Sequence, residues 1–533
     1  MRIHPTRATA DLAIAAMVAA AVGVLLQQAS VVGWAGSVLL GLAVARAVTQ
    51  VSVARIRTSG FEMLWREEPR HRRLARGERV ELQAEVRNRD GRAARYVELR
   101  SVASPNLRVE LSPQQCEVPA GGRLPVKVEV TALRVGRHGL HGLSLEVQGG
   151  PGLFEVPLTF ANPFGIDVLP RPFFTSLRSA RGGRSRMAAE AGRTGPFAGD
   201  GYELRELREH QPGDPFKRIA WKATARRGRL MVRDYEREER DVVWLLLDAS
   251  VELWSGEPGT SPLDIAIDEA AAVAQRHLAQ GDRVGLGILS ARVLAWDPPG
   301  RGAAHGARLA DILAHATACF DADRSDLDEA DVCARVLEHM RPLDPSAAQR
   351  VRVRDTERLA RRADRVRLRA PLPSSEPFAQ TPPERALRRY LEAFGVYSPP
   401  RLEPERHKTD VQLAAALQRL ARERPKPSVV YLWSEPPDPA HRPEIHRALL
   451  RHPRRRIDLR WVSMTHDDSI PRAGSPTADA VGYAVAMRAR AAEQRGQRAL
   501  RRVGVRAVRI RSRHVATVDP QVSETQSPGS DPS

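Results

Sequence analysis

The chain has 533 residues, of which 42% are apolar, and a formal net charge of +19 at pH 7. This length allows two or three domains, and the charge favours an anionic partner such as nucleic acid, anionic lipid or an acidic protein surface. Three cysteines, Cys116, Cys319 and Cys333, have no C-x-x-C spacing, which argues against a disulfide framework and a zinc site and favours a reducing compartment.

An uncharged stretch at residues 12–45 is the strongest local signal. As a helix it would be roughly 50 Å long, too long for one untilted span of a ~30 Å hydrocarbon core. The polar sequence QQAS at residues 27–30 divides it, so we predict a membrane hairpin with two transmembrane helices at residues 1–58. A cleaved signal peptide is the alternative, against which the second apolar segment counts.

Positive charge flanks the predicted hairpin but is absent from its turn. Because cytoplasmic flanks of membrane helices are enriched in lysine and arginine, both ends are expected in the cytoplasm. We therefore expect a multi-pass protein of the cell membrane whose soluble domains are cytoplasmic. The flanking arginines are Arg2, Arg7, Arg46, Arg55 and Arg57.

The next region, residues 60–170, alternates apolar and polar side chains in short runs separated by glycine-rich turns. This pattern predicts a small β-sandwich. Residues 171–241 are predicted to be a linker followed by a basic segment, because residues 179–201 are rich in Gly, Arg, Ala and Ser without periodicity.

Residues 242–515 alternate strand and helix patterns, which predicts a doubly wound α/β domain. A long insertion at about residues 321–408 contains a charged helix pattern and a proline-rich part, residues 370–384, predicted to be disordered. The insertion could be a solvated excursion or a partner-binding arm. The polar tail at residues 516–533 is also predicted to be disordered.

Oxygen-bearing side chains follow the predicted strands of this domain. Asp248 ends the first strand with Ser250 close behind, Thr409 begins a later helix, and Glu435 follows a later strand. Carboxyl ends of parallel strands form the ligand-binding edge of an open sheet, and Mg²⁺ prefers oxygen ligands. These four residues are candidate Mg²⁺ ligands, although Asp248 could equally cap a turn.

Two motifs resemble known families. The Asp-x-Ser at Asp248 resembles the metal-ion-dependent adhesion site of von Willebrand factor A-like domains, with Glu252 where a second serine is expected, so the site would be degenerate. The preceding segment resembles the signature of the domain of unknown function 58 family. The matching residues are Leu207, Arg208, Pro212, Gly213, Asp214, Arg218, Ile219, Trp221, Ala225, Arg226 and Leu230.

This resemblance implies a non-enzymatic interaction protein that acts with a MoxR-type AAA+ ATPase in a chaperone-like or assembly system. Apart from the resemblance, Trp221 is predicted to be a core residue rather than a stacking platform. The sequence has no phosphate loop, G-x-G-x-x-G after a strand, H-E-x-x-H or G-x-S-x-G motif. Two alternatives stay open: a membrane-associated nucleic-acid-binding protein, against which the interspersed acids count, and an envelope-facing adhesin with the opposite topology.

Overall fold

The computed structural model divides the chain into two compact units, each built from three segments. The first comprises Met1–Phe173, Ala249–Glu252 and Ala303–Glu405, and the second comprises Phe174–Asp248, Leu253–Gly302 and Arg406–Ser533. The structure describes residues 3–59, 61–89, 91, 94–113, 116–148, 152–171, 177, 198–212, 214, 216–236, 241–254, 256–344, 352, 354–401, 406–451, 457–465 and 475–511. The predicted disordered tail and most of the predicted linker lie outside these residues.

Two helices, α1 (Arg7–Leu25) and α2 (Ala29–Ser59), open the first unit and pack against each other. Thr6 caps α1 by accepting a hydrogen bond from the Thr9 amide, and Gln27 makes the turn with a positive φ of 53°. By length and composition, Arg7–Leu25 and Ala29–Val51 are apolar enough to cross a membrane. The prediction of two apolar N-terminal helices is therefore confirmed.

The rest of this unit's N-terminal part is built from β-strands. A six-stranded sheet has the order β1-β10-β9-β5-β7, with β3 parallel to β10, and a four-stranded antiparallel sheet has the order β2-β4-β8-β6. One hydrophobic core receives side chains from both sheets, among them Leu82, Val128 and Leu143. The strands are β1 (His4–Pro5), β2 (Phe61–Trp65), β3 (His71–Ala75), β4 (Arg79–Asn88), β5 (Ala94–Ala103), β6 (Leu107–Ser112), β7 (Cys116–Val118), β8 (Arg123–Ala132), β9 (Gly136–Gln148) and β10 (Phe154–Leu169).

Residues of the predicted insertion form helices that belong to this first unit. Val336, Leu359 and Leu391 are buried in a core of their own. Contact with β9 explains the placement, because the Gly139 amide donates to the Gly395 carbonyl at 3.0 Å and Arg137 pairs with Glu392 at 2.7 Å. The helices of the insertion are α6 (Glu329–Leu343), α7 (Thr356–Arg367) and α8 (Pro382–Phe394), and α5 (Gly302–Ala314) precedes the insertion.

The prediction of a charged helix in the insertion is confirmed by α7, whose Leu359 and Ala363 are buried. The prediction of disorder in the proline-rich part is wrong at its end, where α8 begins. Thr381 caps α8 by accepting from the Glu384 amide, and the prolines that follow occupy its first turn. Proline is favoured there because its missing N–H and fixed φ suit the start of a helix.

A chain of polar ring contacts links β9 to α6 and α8. His141 Nδ1 lies 3.0 Å from His339 Nε2, and His339 Nδ1 lies 3.0 Å from the Tyr390 hydroxyl. Burial lowers the pKa of His141 to about 4, and burial together with the neighbouring His141 lowers the pKa of His339 well below its usual value. Both imidazoles are therefore neutral at pH 7.

The second unit begins with an antiparallel ribbon of β11 (Ala198–Glu209) and β12 (Met231–Glu236). Between these strands lie a 3-10 turn, Phe216–Arg218, and the short helix α3 (Trp221–Arg227). Gly228, with a φ of 63°, ends α3 in the left-handed conformation that favours glycine.

A six-stranded sheet forms the centre of the second unit, in the order β15-β14-β13-β16-β17-β18. Neighbouring strands are parallel except for β15, which is antiparallel to β14. Every residue of β13 is buried, as expected for a continuous apolar run in a parallel sheet. The strands are β13 (Val242–Asp248), β14 (Arg283–Leu289), β15 (Val293–Gly300), β16 (Val429–Trp433), β17 (Asp458–Thr465) and β18 (Arg506–Arg511).

Helices cover both faces of this sheet. Trp244 and Val430 share a core with α9 and α10, whereas the Tyr431 hydroxyl, on the opposite face, lies 3.3 Å from His277 of α4. The amino-terminal half of α11 leaves Tyr483 exposed. The helices are α4 (Pro262–Ala279), α9 (Arg406–Arg422), α10 (Pro443–Arg451) and α11 (Pro476–Arg502).

The two neutral histidines predict acid sensitivity. Below about pH 6.5 the unfolded chain binds protons that His339 and His141 do not bind when folded, in the case of His141 down to about pH 4, so stability present above pH 6.5 is lost as the pH falls. Each such proton corresponds to a slope of about 1.4 kcal/mol per pH unit. We expect His339→Gln to flatten the dependence of the unfolding midpoint on pH, measured by circular dichroism.

The matched control is His407→Gln, which removes an exposed histidine. It should leave the pH dependence as in the wild type. An equal slope in His339→Gln and the wild type would contradict the assignment.

Candidate functional site

The signature segment of the second unit is organised by one ion pair. Arg208, near the end of β11, donates from Nη2 to Asp214 Oδ1 at 2.6 Å and from Nη1 to Asp214 Oδ2 at 2.8 Å. The Gln211 amide donates to the same carboxylate at 2.8 Å. These hydrogen bonds, led by those from Arg208, lower the pKa of Asp214 to about 2. The pair closes the turn between β11 and the 3-10 helix.

Beyond this turn the segment presents large apolar side chains to solvent. Phe216 is 78% exposed and Trp221 is 63% exposed, and Leu230, between α3 and β12, is also exposed. The expectation that Trp221 lies in the core is therefore wrong. Ile219 and Ala220 fill the core instead, because Ile219 pairs with β12 and places Trp221 at the outward start of α3.

The backbone around these exposed side chains is tied to β12. The Ala220 amide donates to the Met231 carbonyl at 2.8 Å, and the Met231 amide donates to Thr224 Oγ1 at 3.0 Å. We name Phe216, Trp221 and Leu230 the Trp221 surface. Exposed basic side chains accompany it in the chain: Lys217, Lys222, Arg226 and Arg227.

The remaining residues of the signature lie in the β11–β12 ribbon, in the turn after β11 and in α3. Leu207 pairs with Arg233 across the ribbon, Pro212 is exposed in the turn, and Arg218 ends the 3-10 helix. Ala225 and Arg226 lie on the exposed side of α3. Gly213 lies outside the described residues.

The second candidate site is the carboxyl edge of the central sheet. Asp248 ends β13 and is fully buried, and Ser434 immediately follows β16. Because these strands are parallel neighbours, with Leu247 opposite Trp433, their ends meet. Ser434 Oγ donates to Asp248 Oδ2 at 2.6 Å.

A buried arginine lies at the same edge. Arg442, immediately before α10, donates from Nε to Asp410 Oδ1 at 2.8 Å, and its Nη2 lies 2.7 Å from that oxygen. Nη1 donates to Ser434 Oγ at 3.2 Å and to the Glu435 carbonyl at 2.7 Å. Nη2 also lies 3.9 Å from Asp248 Oδ2. One guanidinium thus links two buried carboxylates and the end of β16.

The four predicted Mg²⁺ ligands have different surroundings. Asp248 and Thr409 are buried in the second unit, and Ser250 is buried in a segment assigned to the first unit. The Glu435 carboxylate pairs with Arg406 at 3.1 Å. Among the described residues, no group of three or more His, Cys, Asp or Glu side chains could hold a metal ion.

The donor set at this edge therefore does not fit a hard cation. Each of the two predicted carboxylate ligands, Asp248 and Glu435, has an arginine nitrogen within 4 Å. Positive charge at that distance opposes the binding of a second cation. The predicted ligand set did not include Ser434, Asp410 or Arg442. The adjacency of Asp410 to Thr409, and of Ser434 to Glu435, was the available signal, whereas nothing local pointed to Arg442.

The ion pair of the signature segment gives a direct measurement. In Arg208→Ala, Asp214 loses its strongest hydrogen-bond donor, so its pKa should rise from about 2 toward the ordinary 3.8. Carboxyl chemical shifts followed by NMR during acid titration would report both values. Arg229→Ala, which removes an exposed pair with Glu209, should leave the pKa of Asp214 low. Titration of wild-type Asp214 near 3.8 would refute the geometry.

Comparisons with known proteins cover parts of the chain. Uncharacterized protein Rv1480 of Mycobacterium tuberculosis and uncharacterized protein Mb1516 of Mycobacterium bovis are each 32% identical to it over 111 residues. This overlap is 21% of the chain and 35% of each relative. The chain therefore spans about a third of the length of these curated relatives.

Solved structures show only distant similarity. The ASH/PapD-like domain of human CEP192 is 15% identical, with 21% of this chain and 85% of that domain covered and a TM-score of 0.17. WR4, a C. elegans MSP family member, is 9% identical, with 21% and 98% covered and a TM-score of 0.15. Scores this low identify no fold. The family comparison is more informative: residues 206–353, which contain both Asp214 and Asp248, match the model described as "Protein of unknown function DUF58".

Proposed function

We propose that the protein is a non-enzymatic, membrane-anchored interaction protein that binds a protein partner through the Trp221 surface. The observation that carries this proposal is the exposure of Trp221 and Phe216 on a backbone tied to β12 and to the Arg208–Asp214 pair. Exposed large apolar side chains on an ordered scaffold are typical of docking sites, and tryptophan is enriched among residues that dominate binding energy.

The second unit is proposed to be a doubly wound, von Willebrand factor A-like domain. Support comes from its parallel sheet with one antiparallel edge strand and from helices on both faces. In such sheets, ligands bind beyond the carboxyl ends of the strands. The edge at Asp248 is part of the platform in this proposal, without a metal ion.

The proposed partner is a MoxR-type AAA+ ATPase in a chaperone-like or assembly system, as the family resemblance implies. The match of residues 206–353 supports the Trp221 surface as the contact site in preference to α11, because the exposed apolar half of α11 lies outside the matched segment. Because basic side chains accompany the Trp221 surface, the complementary face of the partner should be acidic.

The anchor is proposed to be the α1–α2 hairpin, with both of its ends in the cytoplasm. Arg7 begins α1 and Arg46 lies in α2, and positive charge at both flanks favours this orientation. The opposite orientation would suit an envelope-facing adhesin.

A reporter fusion tests this topology. Alkaline phosphatase joined after the last residue should be inactive, and green fluorescent protein at the same place should fluoresce, because the C-terminus is cytoplasmic. The same fusions to a chain lacking residues 1–58 should be soluble. Active phosphatase on the full chain would favour the adhesin topology.

Substitution of the Trp221 surface tests the partner. We expect Trp221→Ala to weaken binding to the AAA+ ATPase at least about tenfold, measured by pull-down from the native host under ATP-trapping conditions with identification by mass spectrometry. Its thermal midpoint should match the wild type, since the side chain is exposed.

Phe378→Ala provides the matched control, because it removes an exposed aromatic ring from the other unit. It should bind the ATPase as the wild type does. Recovery of no AAA+ ATPase with the wild type, or equal recovery with Trp221→Ala, would count against the proposal.

A second candidate function is nucleic-acid binding at the same place. Exposed rings beside basic residues are also typical of proteins on which single-stranded bases stack. Filter binding at two salt concentrations separates the candidates. A steep loss of affinity with salt, together with dependence on Trp221, would favour nucleic acid, whereas weak binding equal in both variants would reflect generic charge.

A further inference from the structure

We infer that the guanidinium of Arg442 occupies the cation position at the carboxyl edge of the second unit, so that this edge assembles without a metal ion. The inference stands apart from the proposed partner, because it concerns the interior of the unit and is measured on the protein alone. Its basis is the placement of one buried positive charge between Asp248 and Asp410.

Because this position is buried, the negative charges of the two carboxylates need a positive group close by. The Arg442 side chain is 5% exposed, that of Asp410 is 4% exposed and that of Asp248 is fully buried. A buried carboxylate without a positive or hydrogen-bonding partner is strongly unfavourable. A divalent cation or an arginine can each satisfy that requirement, and here Arg442 lies within 4 Å of both carboxylates.

The geometry around the guanidinium resembles that of a ligated ion. Its nitrogens contact a carboxylate, a serine hydroxyl and a backbone carbonyl, which are oxygen donors of the kinds that bind Mg²⁺. Those oxygens come from α9 and from the residues after β16, while Asp248 at the end of β13 accepts from Ser434 and lies 3.9 Å from the guanidinium. The arginine therefore joins three elements that a metal ion would otherwise join.

Fixation of Ser434 supports the same conclusion. Its hydroxyl donates to Asp248, and its carbonyl accepts from Trp461 Nε1 at 2.9 Å. Arg442 Nη1 donates to the same hydroxyl oxygen. The serine is thus held from β13, β17 and the start of α10 at once, which sets the position of the edge.

The test follows thermal unfolding of the full chain in detergent with EDTA, Mg²⁺ or Mn²⁺. Wild-type protein should show the same midpoint in all three. Arg442→Ala should lower the midpoint in EDTA, with a loss of at least about 100-fold in the folding equilibrium constant. Arg447→Ala is the matched control, because it removes an arginine of α10 that pairs with Glu444 at the surface, and it should unfold as the wild type does.

Metal rescue distinguishes a cation position from ordinary packing. Arg442→Ala leaves the carboxyl oxygens of Asp248 and Asp410 in place, with Arg406 3.7 Å from Asp410, so Mn²⁺ that binds these oxygens should raise the midpoint of this variant. The same addition should not raise the midpoint of Arg442→Ala combined with Asp248→Asn. Failure of Mn²⁺ to raise the midpoint of Arg442→Ala would overturn the inference.

A wild-type measurement keeps the inference testable if Arg442→Ala does not fold. Mn²⁺ binding to the wild-type chain can be followed by electron paramagnetic resonance. No binding that depends on Asp248 is expected. Binding that disappears in Asp248→Asn would show that the ion and the arginine coexist, and would overturn the inference.

Discussion

The second unit depends on the parallel pairing of β13 with β16. This pairing places the end of one strand beside the end of the other, so that Asp248 meets Ser434. A carboxylate at the buried end of a strand must then be matched from nearby elements, and Arg442 and Asp410 complete that network. The placement of α9 and α10 and the buried charge network at the sheet edge thus follow from this one strand pairing.

Most of the helices and strands could be predicted from the sequence, but not how they divide between the two units or which of them are in contact. A continuous apolar run identified β13, and a long uncharged stretch identified the two N-terminal helices. The helices within residues 303–405 belong to the first unit. Their placement involves contacts such as the one between Arg137 and Glu392, which are 255 residues apart in the chain. Trp221 was exposed for a related reason: Ile219 and Ala220 took the core positions beside it. Arg442 could not be singled out, because its role exists only once α9 and β16 meet.

The two candidate sites differ in what they offer a partner. At the Trp221 surface, apolar area is exposed and the backbone beneath it is held by hydrogen bonds. At the sheet edge, the charges are buried and already paired with one another. Binding energy in protein interfaces is concentrated in desolvated aromatic anchors more than in charges that are already paired. The physical distinction therefore favours the signature segment as the place of contact.

The interleaving of the two units has a consequence for synthesis on the ribosome. Asp248 and Ser434 are 186 residues apart in the chain, so the edge of β13 that β16 covers is translated long before β16 exists. The whole of residues 303–405, which belongs to the other unit, must emerge in between. Such non-local pairing slows folding and leaves an apolar strand edge open in the nascent chain. Aggregation during translation, more than instability of the finished fold, is the hazard that this architecture creates.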